Sequence, residues 1–125
     1  FRFVMERRKH WNGIKMLNNN IFIDEDERRC FIEWIEDTEV CSLKALIMKS
    51  DAIVGNHSHK KKDEYFLLLK GTAKKVIIGK EEYTNINAPF KWVVPRNTYH
   101  SFDLESGSIL LSAATKPFEP DDDYV

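Results

Sequence analysis

No stretch of ten residues in this 125-residue chain carries a helical period. Short runs rich in Val, Ile, Phe, Tyr and Trp alternate with turn residues instead, as half-buried strands do. The pattern predicts strands near 20–23, 30–36, 43–49, 64–70, 73–78, 81–86, 90–94, 100–104 and 108–113. Gly71-Thr72, Gly79-Lys80 and Ser106-Gly107 read as tight hairpin turns, and Asn18-Asn19-Asn20 as a polar turn. Many short strands at near-regular spacing argue for an antiparallel all-β sandwich or barrel. The length suits a single domain with a real core, here about 20–114. The acidic, proline-broken tail 115–125 is expected on the surface.

Some strands are apolar on both faces. Tyr65-Phe66-Leu67-Leu68-Leu69 is one, and it needs cover outside the sheet as well as inside. A second subunit is the expected cover, hence a homodimer. The formal net charge is −1, with both signs interspersed, so no nucleic-acid footprint is read. The short basic clusters Arg7-Arg8-Lys9 and Lys60-Lys61-Lys62 read as solvated loops. No apolar run would span a bilayer, and no secretory leader is evident. Cys30 and Cys41 are too few for a disulfide framework or a zinc site. They are expected as reduced thiols in the core of a cytoplasmic protein. The first residue is Phe1 rather than Met, as in a segment of a longer protein.

Against this background one run stands out: Gly55-Asn56-His57-Ser58-His59-Lys60-Lys61-Lys62-Asp63-Glu64. Two histidines at i and i+2 on a strand share a face, and a carboxylate follows after a gap in which the chain can turn. Farther on, His100 follows Pro95-Arg96-Asn97-Thr98-Tyr99, where a turn can bring a third imidazole toward the first two. His57, His59, Glu64 and His100 would make a three-nitrogen, one-oxygen shell for a divalent metal of unspecified identity. The same imidazoles would equally serve as an acid–base pair around a carbonyl substrate. A lone histidine such as His10 reads as a surface residue. Trp34 and Trp92 read first as core residues. Trp92, just before the Pro95 turn, is also a candidate for stacking on a sugar ring.

Gly55-x-His57-x-His59, four residues, Glu64, six residues and Gly71 resembles the first motif of the cupin superfamily. Pro95-x-Asn97-x-x-His100 is similar to the second, with Asn97 where Gly is usual; Asn is the residue best able to replace Gly where φ is positive. The resemblance spans about 42–114 and implies a double-stranded β-helix, or jelly roll, with the site in the barrel mouth. A narrower likeness also shows. The run Asp26-Glu27-Arg28-Arg29-Cys30-Phe31-Ile32-Glu33, the segment Gly55 to Lys60, and the closing Leu111-Ser112-Ala113-Ala114 and Asp121-Asp122-Asp123-Tyr124-Val125 resemble sugar-nucleotide cupins. The likeness is to the dTDP-4-keto-6-deoxyhexose 3,4-ketoisomerases, relatives of the 3,5-epimerases. In that family the histidines matching His57 and His59 shuttle protons and no metal is needed.

The resemblance therefore implies isomerisation or epimerisation of a nucleotide-linked keto-sugar, without an organic cofactor. His57 and His59 would be the acid–base pair and Tyr99 a candidate proton donor. Two departures matter. Glu64 stands where that family usually has Gln, which restores the metal ligand of other cupins. Val54 stands where it has Arg, so Arg29 or Arg96 would have to supply a phosphate contact. A metal-dependent cupin enzyme (an oxygenase, isomerase or lyase) and a non-catalytic ligand-sensing module are the alternatives.

Overall fold

The computed structural model describes residues 21–36 and 38–125, and the features read at Arg7-Arg8-Lys9, His10 and Asn18-Asn19-Asn20 lie outside the described residues. The described chain is all β, in three antiparallel sheets. Strands β1 (Phe22–Glu25) and β2 (Cys30–Glu33) form a hairpin. The remaining strands are β3 (Ser42–Ile47), β4 (Ala52–His59), β5 (Glu64–Lys70), β6 (Thr72–Ile78), β7 (Glu81–Asn87), β8 (Phe90–Val94), β9 (His100–Leu104), β10 (Ile109–Ala114) and β11 (Asp123–Tyr124). They form a four-stranded sheet ordered β3-β10-β5-β8 and a five-stranded sheet ordered β11-β4-β9-β6-β7.

Period-two alternation supplies the core between these sheets. Phe66 and Leu68 of β5, Phe90, Trp92 and Val94 of β8, and Leu110 of β10 come from one side. Ala73, Val76 and Ile78 of β6 and Phe102 and Leu104 of β9 come from the other. Lys74-Lys75 interrupts the alternation in β6, and a register shift between Ala73 and Lys75 restores it. One extra residue flips the parity, so Val76 and Ile78 face inward beside Ala73. Trp92 is fully buried and stacks on Phe66 with ring centroids 6.0 Å apart.

Of the three turns read as hairpins, only Gly79-Lys80 is one, joining β6 to its partner β7. Gly71-Thr72 and Ser106-Gly107 are corners, because β5 and β6 lie in different sheets and so do β9 and β10. The two corners pack on each other. Thr72 N donates to Ser108 Oγ, Glu105 N to Thr72 O, and Ala88 N to Gly71 O. A chain that steps from sheet to sheet at successive corners is a jelly roll.

Other expectations need correction. Cys30 and Cys41 are exposed rather than core residues. Trp34 lies past the end of β2 and is only partly buried, and its carbonyl accepts a hydrogen bond from Lys91 Nζ. That contact ties the chain's own 34 segment to β8. Most of the tail lies on the surface as expected, but β11 pairs with β4 and Asp122 is 1% exposed.

Candidate active site

Strand β4 changes parity at Gly55-Asn56, and that change makes the site. Val54 packs on the core, so uninterrupted alternation would send His57 and His59 outward. A register shift lets Gly55 pair with Ser101 and His57 with His100, skipping Asn56. Gly55 and Asn56 take φ of 92° and 61°, where side chains are disfavoured. A Cβ on Gly55 would also stand 2.9 Å from the His100 carbonyl oxygen and 3.2 Å from its ring. Two histidines thereby turn inward beside a third on the neighbouring strand. Asn97 has φ 62°, as its place in the motif requires. Its N–H donates to the His59 carbonyl, and its side chain accepts from the Tyr124 hydroxyl at 3.0 Å.

The ligand atoms of His57, His59, Glu64 and His100 all lie within 4.8 Å of one another. The ring of His57 is 4.4 Å from that of His59 and 4.6 Å from that of His100, centroid to centroid. Glu64 Oε1 stands 2.9 Å from His59 Nε2 and 3.5 Å from His100 Nε2. On its other side, His59 Nδ1 is 2.8 Å from Asp123 Oδ1 and 3.8 Å from Asp122 Oδ2. These contacts are close but off the hydrogen-bond direction, since Glu64 Oε1 and His59 Nδ1 have no aligned partner. A buried carboxylate oxygen facing two imidazole nitrogens is a place that a proton or a divalent cation would fill. The residues thus fit a metal in ligand type and convergence.

Asp122 and Asp123 are the site residues that sequence reasoning missed. The Asp122 carboxylate accepts from the N–H groups of Lys60 and Lys61, both at 2.8 Å, and so fixes the chain just past His59. The closing Asp121-Asp122-Asp123-Tyr124-Val125 resemblance was their signal; its acidity argued instead for solvent.

The cluster lines a cavity of about 270 Å³ between the two sheets, shared with Phe66, Ser112, Lys44, Lys62 and Phe118. Trp92, Tyr99, Arg29 and Arg96 do not reach it. Trp92 is sealed in the core. The Tyr99 hydroxyl donates to Asn56 Oδ1 at 2.9 Å on the rim. Arg96 is held by Asp63 through its backbone N–H at 2.8 Å and Nε at 3.3 Å. Arg29 lies on the β1–β2 turn, 4.0 Å from Asp24 and over the Phe31 ring. None of the four lines the cavity: Tyr99, expected as a proton donor, and Arg29 and Arg96, expected as phosphate contacts, stand outside it, and Trp92 takes the core place read for it first.

Burial and the neighbouring imidazoles His57 and His59 push the pKa of His100 down to about 3. Burial and then His59 also lower that of His57, which stays more open, its side chain 28% exposed. Both rings are neutral at pH 7. Unfolded histidine takes up a proton near pH 6.5, whereas folded His100 refuses it until about pH 3. Stability is therefore complete above pH 6.5 and falls as pH drops from 6.5 toward 3. Denaturant midpoints should show a loss of about 2–3 kcal/mol between pH 6.5 and 4.5, before most carboxylates titrate. His100→Gln should flatten that slope; an unchanged slope in the variant would contradict the assignment.

No protein-family profile matches the sequence, and no curated protein matches it. Solved structures do. A 3,4-ketoisomerase from Helicobacter canadensis superposes with a TM-score of 0.72 at 17% identity, covering 85% of this chain and 86% of that one. The 3,4-ketoisomerase QdtA from Thermoanaerobacterium thermosaccharolyticum, as a double mutant in complex with TDP, gives 0.70 at 24% identity, covering 83% and 82%. NovW, a 4-keto-6-deoxy sugar epimerase from Streptomyces spheroides, gives 0.74 at 13% identity, covering 96% and 73%. These likenesses establish the jelly-roll fold expected from the two motifs.

Proposed function

We propose that this chain moves protons on a keto-sugar, isomerising or epimerising it by imidazole acid–base chemistry, with a nucleotide-linked sugar as substrate. The observation that carries the reading is the division of labour among the histidines. His57 is neutral at pH 7 and faces the opening, as a base requires. His59 has a carboxylate at each nitrogen. His59, flanked by these carboxylates, takes the partner role of delivering a proton to the carbonyl oxygen. Removal of a proton beside the carbonyl by His57 and delivery to oxygen by His59 gives an enediol; reversal at the neighbouring carbon completes a carbonyl shift. His100, neutral and buried, offers polarity without net charge. The fold shared with ketoisomerases and an epimerase supports the substrate class. Incubation with TDP-4-keto-6-deoxyglucose, followed by proton NMR, tests it: a new keto-sugar is expected, and unchanged substrate would reject the reading.

Glu64 favours a second reading, a divalent metal held by His57, His59, Glu64 and His100. Bound there, the ion would polarise a carbonyl oxygen. Protein purified without chelator should then carry about one metal per chain by mass spectrometry, lost in Glu64→Ala and His100→Ala. Substoichiometric metal after loading and dialysis would refute it.

We also infer a homodimer. Leu43 and Ile47 of β3 are 73% and 68% exposed on the outer face of the four-stranded sheet. A groove lined by Phe31, Trp34, Leu43 and Leu111 lies alongside, and exposed apolar faces of this kind mark contact surfaces. Leu43→Lys should turn a dimer of about twice 14.7 kDa into a monomer in light scattering. The exposed free thiols of Cys30 and Cys41 suit the reducing cytoplasm. No helix among the described residues is long and apolar enough to cross a membrane.

A further inference from the structure

Lys62 is 1% exposed, yet it has no carboxylate within salt-bridge distance among the described residues. Its neighbour Lys61 pairs with Glu119 and Asp121 outside the cavity. Lys62 instead turns into the cavity, where its ammonium stands 6.0 Å from the Phe118 ring. Lys44 of β3, an exposed residue, stands 5.9 Å from the same ring and likewise has no salt-bridge partner among the described residues.

The other charged groups lining this cavity are Glu64 and Asp123. Both are engaged by His59, at 2.9 and 2.8 Å. Two carboxylates therefore face an imidazole, while two ammoniums share a ring and have no anion of their own. An ammonium removed from water costs free energy unless a counter-charge or hydrogen-bond acceptors replace the lost hydration. Cation–π contact at 6 Å replaces only a fraction of it. The two ammoniums and two carboxylates balance over the whole cavity, but the ammoniums gather at the Phe118 ring and the carboxylates at His59, so the Phe118 end favours an anion.

We propose that Lys62 and Lys44 form an oxyanion subsite inside the cavity, so that the ligand carries a negatively charged group on its sugar ring or attached directly to it. Size supports that location. About 270 Å³ lies near the lower end of ligand cavities, with room for one sugar ring and not for a whole nucleotide. A negative group meeting Lys62 is thus a ring carboxylate or the first phosphate on the ring. This subsite stands on charge and burial alone and holds whichever chemistry the imidazoles perform.

NMR titration of the full chain tests it with galacturonate, glucose 1-phosphate and the neutral methyl galactoside. At least one of the two anions should bind, more tightly than the neutral sugar and more weakly at high salt. Its affinity should fall tenfold or more in Lys62→Met and in Lys44→Met, and stay unchanged in Lys61→Met. The preferred anion tells carboxylate from phosphate. Neither anion binding better than the neutral sugar would overturn the proposal. Should Lys62→Met fail to fold, Lys44→Met at its exposed position decides, and unchanged affinity there also overturns it.

Discussion

His57→Asn is expected to slow keto-sugar isomerisation by about a thousandfold, the middle of the range for a general base, while leaving the melting temperature nearly unchanged. His57 is the most exposed imidazole of the three, so its loss opens no sealed cavity. Its Nδ1 is 3.6 Å from Asp123 Oδ2, beyond a direct hydrogen bond. Asparagine keeps a polar group and removes the exchangeable base. The pH profile of the parent protein adds a second check. Burial and His59 hold the His57 pKa below its ordinary 6.5. The base is the neutral form, so activity should be flat through neutrality and decline only below pH 6.5. A decline centred above pH 7 would assign the base elsewhere.

Gly71→Ala should be the most damaging small substitution in the fold. A Cβ at this position would stand 2.2 Å from Ser108 Oγ and 2.7 Å from Ser108 Cα, and φ is +92°. A flexible side chain could move aside, but Ser108 Cα belongs to the facing corner, whose backbone N–H donates to Glu105 O. Overpacking and left-handed strain together should cost about 3 kcal/mol and lower the melting temperature by roughly 10 °C. Gly107→Ala is the control. It has a similar φ of +85° but nothing within 4 Å of the added carbon, so strain alone should cost about 1 kcal/mol. Equal losses at both positions would show that the two corners do not pack as described.

The jelly roll and the histidine cluster were legible because they rest on short-range pattern. Strand alternation, the His57-x-His59 pair and the Pro95-x-Asn97-x-x-His100 corner each carry their own signal. Asn97 was placed at positive φ from sequence, and it adopts 62°. What failed depended on partners distant in the chain. A glycine marks a bend whether it closes a hairpin or steps between sheets, so Gly71-Thr72 and Ser106-Gly107 were misread. The β4 bulge was also hidden, because the histidines share a face with or without it. Acidity alone placed Asp122 and Asp123 in water. The backbone amides of Lys60 and Lys61 and the His59 ring that hold these carboxylates are some sixty residues away. Arginines were favoured for anion binding over Lys62, whose burial follows from the corner joining two sheets.

The most direct measurement of the central claim is deuterium exchange from heavy water into TDP-4-keto-6-deoxyglucose, using chelator-treated protein. Imidazole proton transfer predicts deuterium at the carbon beside the carbonyl at an undiminished rate after chelation, and its loss in His57→Asn. No deuterium incorporation with either treated or untreated protein would contradict it.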